Sequence, residues 1–190
     1  MSRDLMYSDE IRGLVQTTYQ HLATPDGPGL AFYDPDQVAG LPAGARAWAL
    51  GVGNPLRHAD LRQGDTVLDL GCGSGIDVLL AARHVGETGT AIGVDFLPSM
   101  IDRARSFARD AEIKNATFLL GDIEDVPLPD GSVDVVISNG SINLAARKSR
   151  VLAEAHRVLR SGGRLCVTDL TLDDDDLPPE IITHPSAWAG

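Results

Sequence analysis

From residue 64 onward, short apolar runs alternate with amphipathic segments. The apolar runs predict strands at 66–70, 90–95, 117–121, 133–138 and 163–170. The amphipathic segments between them predict helices over roughly 75–85, from Pro98 onward, and from about Lys148 to Arg160. Gly162 and Gly163 should stop the last of these helices. Five strands separated by helices predict an α/β fold, with a doubly wound and mostly parallel sheet.

The first 60 residues follow a different pattern. Ser8 to Leu22 could form a helix, whereas Thr24 to Gly44 is rich in proline and glycine and is predicted to be a loop. This loop is either a surface connection or a lid over a bound ligand. We therefore divide the chain into an N-terminal helix and lid or substrate-side segment (1–60), an α/β core (61–172) and a C-terminal tail (173–190).

Composition narrows the class of protein. A chain of 190 residues is long enough for one domain with a full core, and no apolar run is long enough to span a bilayer. The first residues lack the basic and apolar regions of a signal peptide, so a cytoplasmic protein is expected. Two cysteines indicate a reducing compartment without a disulfide framework. The formal net charge of −11 argues against a nucleic-acid partner.

The segment Thr66 to Gly75 carries the main chemical signal. An apolar run ends at Asp69 and is followed by Gly71, Gly73 and Gly75. A strand, a glycine-rich turn and a helix in this order build a nucleotide site at the carboxyl end of a parallel strand. A dinucleotide fingerprint would need another glycine at the position that Ile76 occupies. The spacing therefore favours a smaller adenosine ligand over a dinucleotide.

The next two strands also end in acids. Asp95 follows Gly75 by 20 residues, at the distance where an acid accepts hydrogen bonds from ribose hydroxyls. The run that begins at Thr117 ends at Asp122. Three successive strands that close on an acid predict a row of acceptors along one edge of the sheet.

From about Leu41 to Trp188 the chain resembles the class I S-adenosylmethionine (SAM) methyltransferases, and it looks like their arsenite methyltransferase branch. The matching stretches are Gly51 to Pro55, Val67 to Gly75, Ile92 to Asp95, Ser138 to Leu144 and Arg157 to Gly163. The resemblance implies a Rossmann-like fold and SAM as cofactor, with S-adenosylhomocysteine (SAH) as product.

The same resemblance implies roles for individual residues. The cofactor-binding set is Asp69, Gly71, Cys72, Gly73, Asp95, Phe96, Met100, Asp122, Ile123 and Asn139. Methionine would lie near Asp69 and the glycine turn, and the ribose on Asp95. Adenine would lie between Phe96 and Ile123, with its amino group on Asp122.

Catalytic groups are harder to predict, because SAM carries its own leaving group and methyl transfer mainly needs alignment. The resemblance places Asn139 beside the transferring methyl, and Tyr33 is a candidate group on the acceptor side. The five histidines show no metal-ligand spacing, and the run Asp173 to Asp176 is typical of a solvated turn. No metal site is predicted.

The chain departs from the arsenite branch at the thiols. The family pattern has cysteines where this sequence has Val52 and Gly140, and a further one beyond the point where the chain stops, at Gly190. We therefore expect a methyltransferase that modifies oxygen, nitrogen or carbon of a small organic molecule rather than arsenite. Two alternatives stay open: an enzyme that uses the SAM pocket for a reaction such as cyclisation, and a SAM-binding domain without catalytic activity.

The family's sheet usually has seven strands, and this sequence predicts five, so the last two of the usual seven are expected to be missing. Strand 163–170 would then lie at an edge of the sheet. Bare apolar edges invite pairing. We expect either a homodimer or an N-terminal segment that crosses this edge, with the dimer favoured.

Overall fold

The computed structural model describes residues 27–171, together with Gly13 and residues 15–17 near the N-terminus. These four N-terminal residues are helical, in agreement with the predicted helix, whose other residues lie outside the described part. The predicted tail at 173–190 also lies outside it.

Five parallel strands form one sheet. They are β1 (Thr66–Leu70), β2 (Thr90–Asp95), β3 (Ala116–Leu120), β4 (Val133–Asn139) and β5 (Leu159–Thr168). Their order in the sheet is β3-β2-β1-β4-β5, and every neighbouring pair is parallel. The predicted doubly wound parallel sheet is therefore confirmed. Strand order reverses between β1 and β4, and ligands of such sheets bind at the carboxyl side of this switch point.

Over residues 27–171, five α-helices connect or precede the strands. They are α1 (Pro35–Val38), α2 (Ala43–Ala47), α3 (Ile76–Val85), α4 (Pro98–Asp110) and α5 (Lys148–Val158). The prediction of a loop over 24–44 is wrong where α1, the start of α2 and a 3-10 helix at Pro28–Phe32 lie. Proline there begins helical turns, and at α1 the Gln37 Oε1 accepts the Asp34 N–H at 3.1 Å.

Helix α5 ends at Val158, two residues before the predicted end at Arg160. Gly162 and Gly163 lie inside β5 and do not stop the helix. The cause is tertiary: the Val158 carbonyl accepts the Ser132 N–H at 2.8 Å, and Leu159 pairs with Val133 of β4. These contacts pull the chain into the sheet before a glycine is reached.

Both faces of the sheet are covered, as expected for parallel strands. One apolar cluster packs strand residues such as Val67 against α3 and α4. The other packs residues such as Leu68 against α5. Successive side chains of β1 thus pack against helices on opposite faces of the sheet. This packing fixes the position of the carboxyl end of β1 and of the glycine turn that follows it.

Candidate functional site

A cavity opens at the carboxyl ends of β1, β2, β3 and β4. Its wall contains every residue of the predicted cofactor-binding set: Asp69, Gly71, Cys72, Gly73, Asp95, Phe96, Met100, Asp122, Ile123 and Asn139. The fold therefore brings these ten side chains and backbone turns to one place, and their roles toward a cofactor stay predictions.

The glycine turn after β1 is held by the end of β2. The N–H groups of Gly71 and Cys72 donate to the Val94 carbonyl at 2.8 and 3.0 Å. At Gly71 φ is +73°, and a Cβ would lie 2.4 Å from Ser141 Cβ. At Gly73 φ is +51° and no heavy atom would lie within 4 Å of a Cβ. The turn thus leaves an open surface of backbone where a ligand can approach closely.

Asp95, at the end of β2, organises the same turn. Its Oδ2 accepts the Gly73 N–H and its Oδ1 accepts the Leu97 N–H, both at 2.9 Å. Burial raises the pKa of this carboxyl, and the backbone hydrogen bonds oppose that increase. Each oxygen keeps acceptor capacity beyond its one backbone donor, as a ribose hydroxyl would need.

Asp69, in β1, is the least satisfied polar group of the wall. Its side chain is 3% exposed, and its Oδ1 has no hydrogen-bond partner among the described residues. Burial, followed by the charges of Asp77 and Asp95, raises the pKa of its carboxyl well above the usual range. A buried acceptor without a donor is costly. A ligand that brings an ammonium group or another donor into the cavity would remove this cost.

Asn139, the last residue of β4, lies in the wall with its amide fully engaged. Its Oδ1 accepts the N–H groups of Val52 and Gly53 at 2.9 and 3.0 Å and the Thr168 hydroxyl at 3.0 Å. Its Nδ2 donates to Asp77 Oδ2 at 3.0 Å. These contacts fix the orientation of the amide. Asn139 therefore lines the cavity and also holds the neighbouring groups that it contacts.

Tyr33 does not line the cavity. Its side chain is 6% exposed, and its hydroxyl donates to Asp77 Oδ1 at 2.6 Å. Burial and the neighbouring Asp77 raise the pKa of the phenol. The structure thus places Tyr33 behind the wall, so its role as a group on the acceptor side stays a prediction, and a phenol with a raised pKa is a poor base.

Sequence reasoning missed Asp77. It lies in the first turn of α3, it is 5% exposed, and it contributes to the cavity wall. Burial raises the pKa of its carboxyl, while the hydrogen bonds from Tyr33 and Asn139 lower it. The available signal was its place two residues after Gly75, directly behind the glycine turn. An acid there usually serves only as a favourable charge at a helix N-terminus, so the signal was weak.

The wall also contains Trp48 and Glu124, which the sequence analysis did not single out. The Arg103 guanidinium lies 4.0 Å from the centre of the Trp48 ring. Glu124 Oε2 pairs with Arg147 Nε at 2.8 Å. Both side chains are therefore held in place by cations outside the cavity wall.

Neither thiol is set up as a soft-metal ligand. Cys72 is buried, and burial together with Asp95 and Asp69 raises the pKa of its thiol well above the usual value. Burial also raises the pKa of Cys166, on β5. Over residues 27–171 and the four described N-terminal residues, no three or more histidine, cysteine or acidic side chains are grouped to hold a metal ion. No helix in this part is long and apolar enough to cross a membrane.

The chain is similar in sequence to known proteins. The family described as "Methyltransferase domain" matches residues 61–189. The arsenite methyltransferase of Halobacterium salinarum is 45% identical over 83% of this chain and 41% of its own length. Among curated relatives, the chain spans less than half of this protein and 35% of the human arsenite methyltransferase, which is 37% identical over 64% of this chain.

Solved structures agree. An arsenic(III) S-adenosylmethionine methyltransferase from Chlamydomonas reinhardtii is 39% identical with a TM-score of 0.65, and the match covers 84% of this chain and 52% of that one. A SAM-dependent methyltransferase from Aquifex aeolicus shares the fold at 24% identity, with a TM-score of 0.65 over 88% of this chain and 80% of that one.

Proposed function

The chain belongs to the class I SAM-dependent methyltransferases, and we propose that it transfers the methyl group of SAM to oxygen, nitrogen or carbon of a small organic molecule. The proposal includes a role in small-molecule metabolism and excludes arsenite as the acceptor.

The unpartnered Oδ1 of Asp69 carries the proposal. It is a buried carboxylate oxygen in the cavity wall. The glycine turn beside it leaves its backbone open, so that a ligand can approach closely. The amino group of SAM is the kind of donor that this oxygen lacks, so the residues present fit the cofactor. When bound, SAM supplies an activated methyl group on a sulfonium.

The other wall residues fit the remaining parts of the cofactor. We propose that Asp95 accepts the ribose hydroxyls, that Phe96 and Ile123 enclose the adenine, and that Asp122 accepts its amino group. Gly71, Cys72, Gly73 and Met100 would complete the contact surface. All of these residues come from the turns after β1, β2 and β3 or from the first turn of α4, where the sheet places them side by side.

The chain's part in the reaction is alignment. Holding acceptor and donor in reacting geometry can lower the barrier by several kcal/mol, and a general base is needed only for an acceptor that must lose a proton. We propose that residues 1–60 supply the acceptor side, because Trp48, Leu50 and Gly51 line the cavity. The core at 61–172 would hold the cofactor.

The chemistry of the proposed acceptor side supports the exclusion of arsenite from the proposal. The trivalent metalloid needs thiolate ligands. The positions that carry thiols in the resembling family are Val52 and Gly140 here, and the pKa of both cysteines is raised, which keeps them as neutral thiols. An acceptor that is bound through apolar contacts and hydrogen bonds fits this cavity wall better than one that needs thiolate ligands.

The test has two parts. Calorimetry with SAM and SAH measures cofactor binding, and a panel of small phenols, amines and carbon acids, assayed for SAH release, measures methyl transfer. SAH release with one acceptor class supports the proposal. Tight cofactor binding with product formation but no SAH release would favour a cyclisation or other non-methylating reaction. Absence of cofactor binding would overturn the proposal.

A further inference from the structure

Tyr33, Asp77 and Asn139 close a triangle of hydrogen bonds, with Asp77 and Asn139 in the cavity wall and Tyr33 behind it. The Tyr33 hydroxyl donates to Asp77 Oδ1 at 2.6 Å. Asn139 Nδ2 donates to Asp77 Oδ2 at 3.0 Å and to the Tyr33 Oη at 3.1 Å. The three residues come from the end of a 3-10 helix, the start of α3 and the end of β4. All three edges of the triangle are therefore tertiary contacts.

The far side of the Asn139 amide holds the segment at 51–53. Its Oδ1 accepts the backbone N–H groups of Val52 and Gly53. A Cβ at Gly51 would lie 2.2 Å from Asn139 Nδ2, so the segment packs as closely on the amide as backbone can. Gly51 is also part of the cavity wall.

The triangle decides which way the amide points. With Nδ2 toward Asp77, the carboxylate receives a donor and Oδ1 faces the two N–H groups. In the flipped orientation, Oδ1 would face the carboxylate and the amide N–H groups would face the N–H groups of Val52 and Gly53. Both contacts would then be lost. Tyr33 strengthens the observed orientation, because its hydroxyl both holds Asp77 and accepts from Nδ2.

We propose that Tyr33 is a positioning residue, whose hydroxyl bonds both Asp77 and the Asn139 amide, locks that amide and thereby holds residues 51–53, where Gly51 forms part of the acceptor-side wall of the cavity. The assignment of this wall to the acceptor rests on the proposed methyl transfer; the lock on residues 51–53 does not. Tyr33 thus has a role that is different from that of a catalytic base and that reaches the cavity through its direct hydrogen bonds to Asp77 and Asn139.

Hydrogen exchange tests the lock without any assay of activity. Tyr33→Phe keeps the ring and removes the hydroxyl. We expect exchange at the Val52 and Gly53 amides to become at least about tenfold faster than in the unmodified protein. The matched control is Phe32→Leu, a change at the exposed neighbouring side chain that leaves the triangle intact. Unchanged exchange at both amides in Tyr33→Phe would overturn the proposal.

A double-mutant cycle tests whether the effect passes through Asn139. In an Asn139→Ala background, Tyr33→Phe should not accelerate exchange at Val52 and Gly53 any further, because the link to these amides is already missing. Additive acceleration would show that Tyr33 acts by another route and would contradict the proposal.

Kinetics distinguishes positioning from a purely structural role. With an acceptor found by the panel, Tyr33→Phe should lower kcat about tenfold while the dissociation constant of SAH stays within about twofold. A lower melting temperature with unchanged kcat would overturn the positioning role. If no acceptor is methylated, the proposed function fails, while the exchange experiment still decides the lock.

If the Tyr33→Phe variant does not fold, the proposal can still be tested on the unmodified protein. The side-chain N–H protons of Asn139 should be strongly protected from exchange, since Nδ2 has three acceptors within 3.1 Å, namely Tyr33 Oη, the Gly53 carbonyl and Asp77 Oδ2. Rapid exchange of these protons would show that the amide is not locked.

Discussion

Val52 lies next to Gly140, which is part of the cavity wall, and a Cβ at position 140 would lie 3.3 Å from Val52 Cγ2. Gly140 has a φ of +74°, in the left-handed region that favours glycine. The two positions at which the resembling arsenite methyltransferases carry thiols are thus neighbours here, but they present an isopropyl group and a bare backbone.

This relationship predicts that the protein neither binds arsenite tightly nor methylates it. A pair of thiolates is missing, and the pKa of Cys72 is raised by burial. Calorimetry with arsenite and detection of methylated arsenicals check this. Methylation at a rate comparable with a cysteine-bearing relative would contradict it, as would tight binding that Cys72→Ser and Cys166→Ser both abolish.

The same pair predicts how a thiol site could be restored. Val52→Cys combined with Gly140→Cys should bind arsenite, whereas each single substitution should not. Gly140→Cys alone should destabilise the protein by about 1–2 kcal/mol, because of the left-handed backbone. Val52→Cys should ease the close contact at 3.3 Å, so the double variant should lose no more stability than Gly140→Cys. Urea denaturation measures the stability and calorimetry the binding.

Asp95→Ala should weaken SAH binding by about tenfold or more. Hydrogen bonds to a charged partner contribute roughly 1.5–3 kcal/mol each, and the substitution also frees the Gly73 N–H from its acceptor. Calorimetry checks the affinity, with the exposed Asp102→Ala on α4 as control. Equal affinity of Asp95→Ala and the unmodified protein would refute the ribose assignment.

Two glycines of the turn should respond differently to alanine. At Gly75 a Cβ would lie 2.7 Å from the Phe118 ring, with φ at +89°, so Gly75→Ala should destabilise the protein by about 2–5 kcal/mol. At Gly73 a Cβ would meet nothing within 4 Å, so Gly73→Ala should cost only about 1–2 kcal/mol of backbone strain.

The affinity for SAH should also differ between the Gly73→Ala and Gly75→Ala variants. Gly73→Ala should weaken it, because the new methyl group would lie in the cavity wall. Urea denaturation and calorimetry together check the pair. Equal destabilisation by both substitutions would contradict the packing difference at the turn.

Asp69→Asn should change how stability depends on pH. The pKa of Asp69 is raised in the folded state, chiefly by burial and then by Asp77 and Asp95, above the value of about 3.9 in unfolded chains. Its contribution to stability is therefore fully present below about pH 4 and is lost as pH rises through the folded-state pKa.

Asparagine does not titrate, so the variant should gain stability relative to the unmodified protein as pH rises from about 4 to 8. Urea denaturation across this range measures the difference, which also includes the change in the titration of Asp77, Asp95 and Cys72 when the neighbouring Asp69 charge is removed. A difference that is independent of pH would show that Asp69 keeps an ordinary pKa.

The edge of the sheet at β5 predicts a homodimer. β5 is the last strand in the order, and Leu165, Val167 and Leu170 are 39%, 40% and 64% exposed. Light scattering at micromolar concentration should give twice the chain mass of 20.2 kDa. Val167→Lys should yield a monomer, whereas Leu152→Lys, on the exposed side of α5, should not. A concentration-independent monomer would rule out the dimer.

The sequence by itself determined the sheet and placed the predicted cofactor-binding residues at one edge of it. Apolar runs bounded by turn residues mark strands, and a parallel sheet must bring the residues after each strand to one edge. Asp69, the glycine turn, Asp95 and Asp122 could therefore be placed together from their positions in the chain. These residues lie where the local sequence places them.

Only the tertiary structure decided the arrangement of Tyr33, Asp77 and Asn139 at the proposed acceptor side. The place of Tyr33 behind the wall, the role of Asp77 and the six contacts of the Asn139 amide depend on partners 29 to 106 residues apart, which no local pattern encodes. The end of α5 at Val158 likewise follows from pairing with β4 and not from the glycines beyond it. In each case, a buried polar group takes the partner that packing brings within reach, because leaving it unpaired costs more than the local preference is worth.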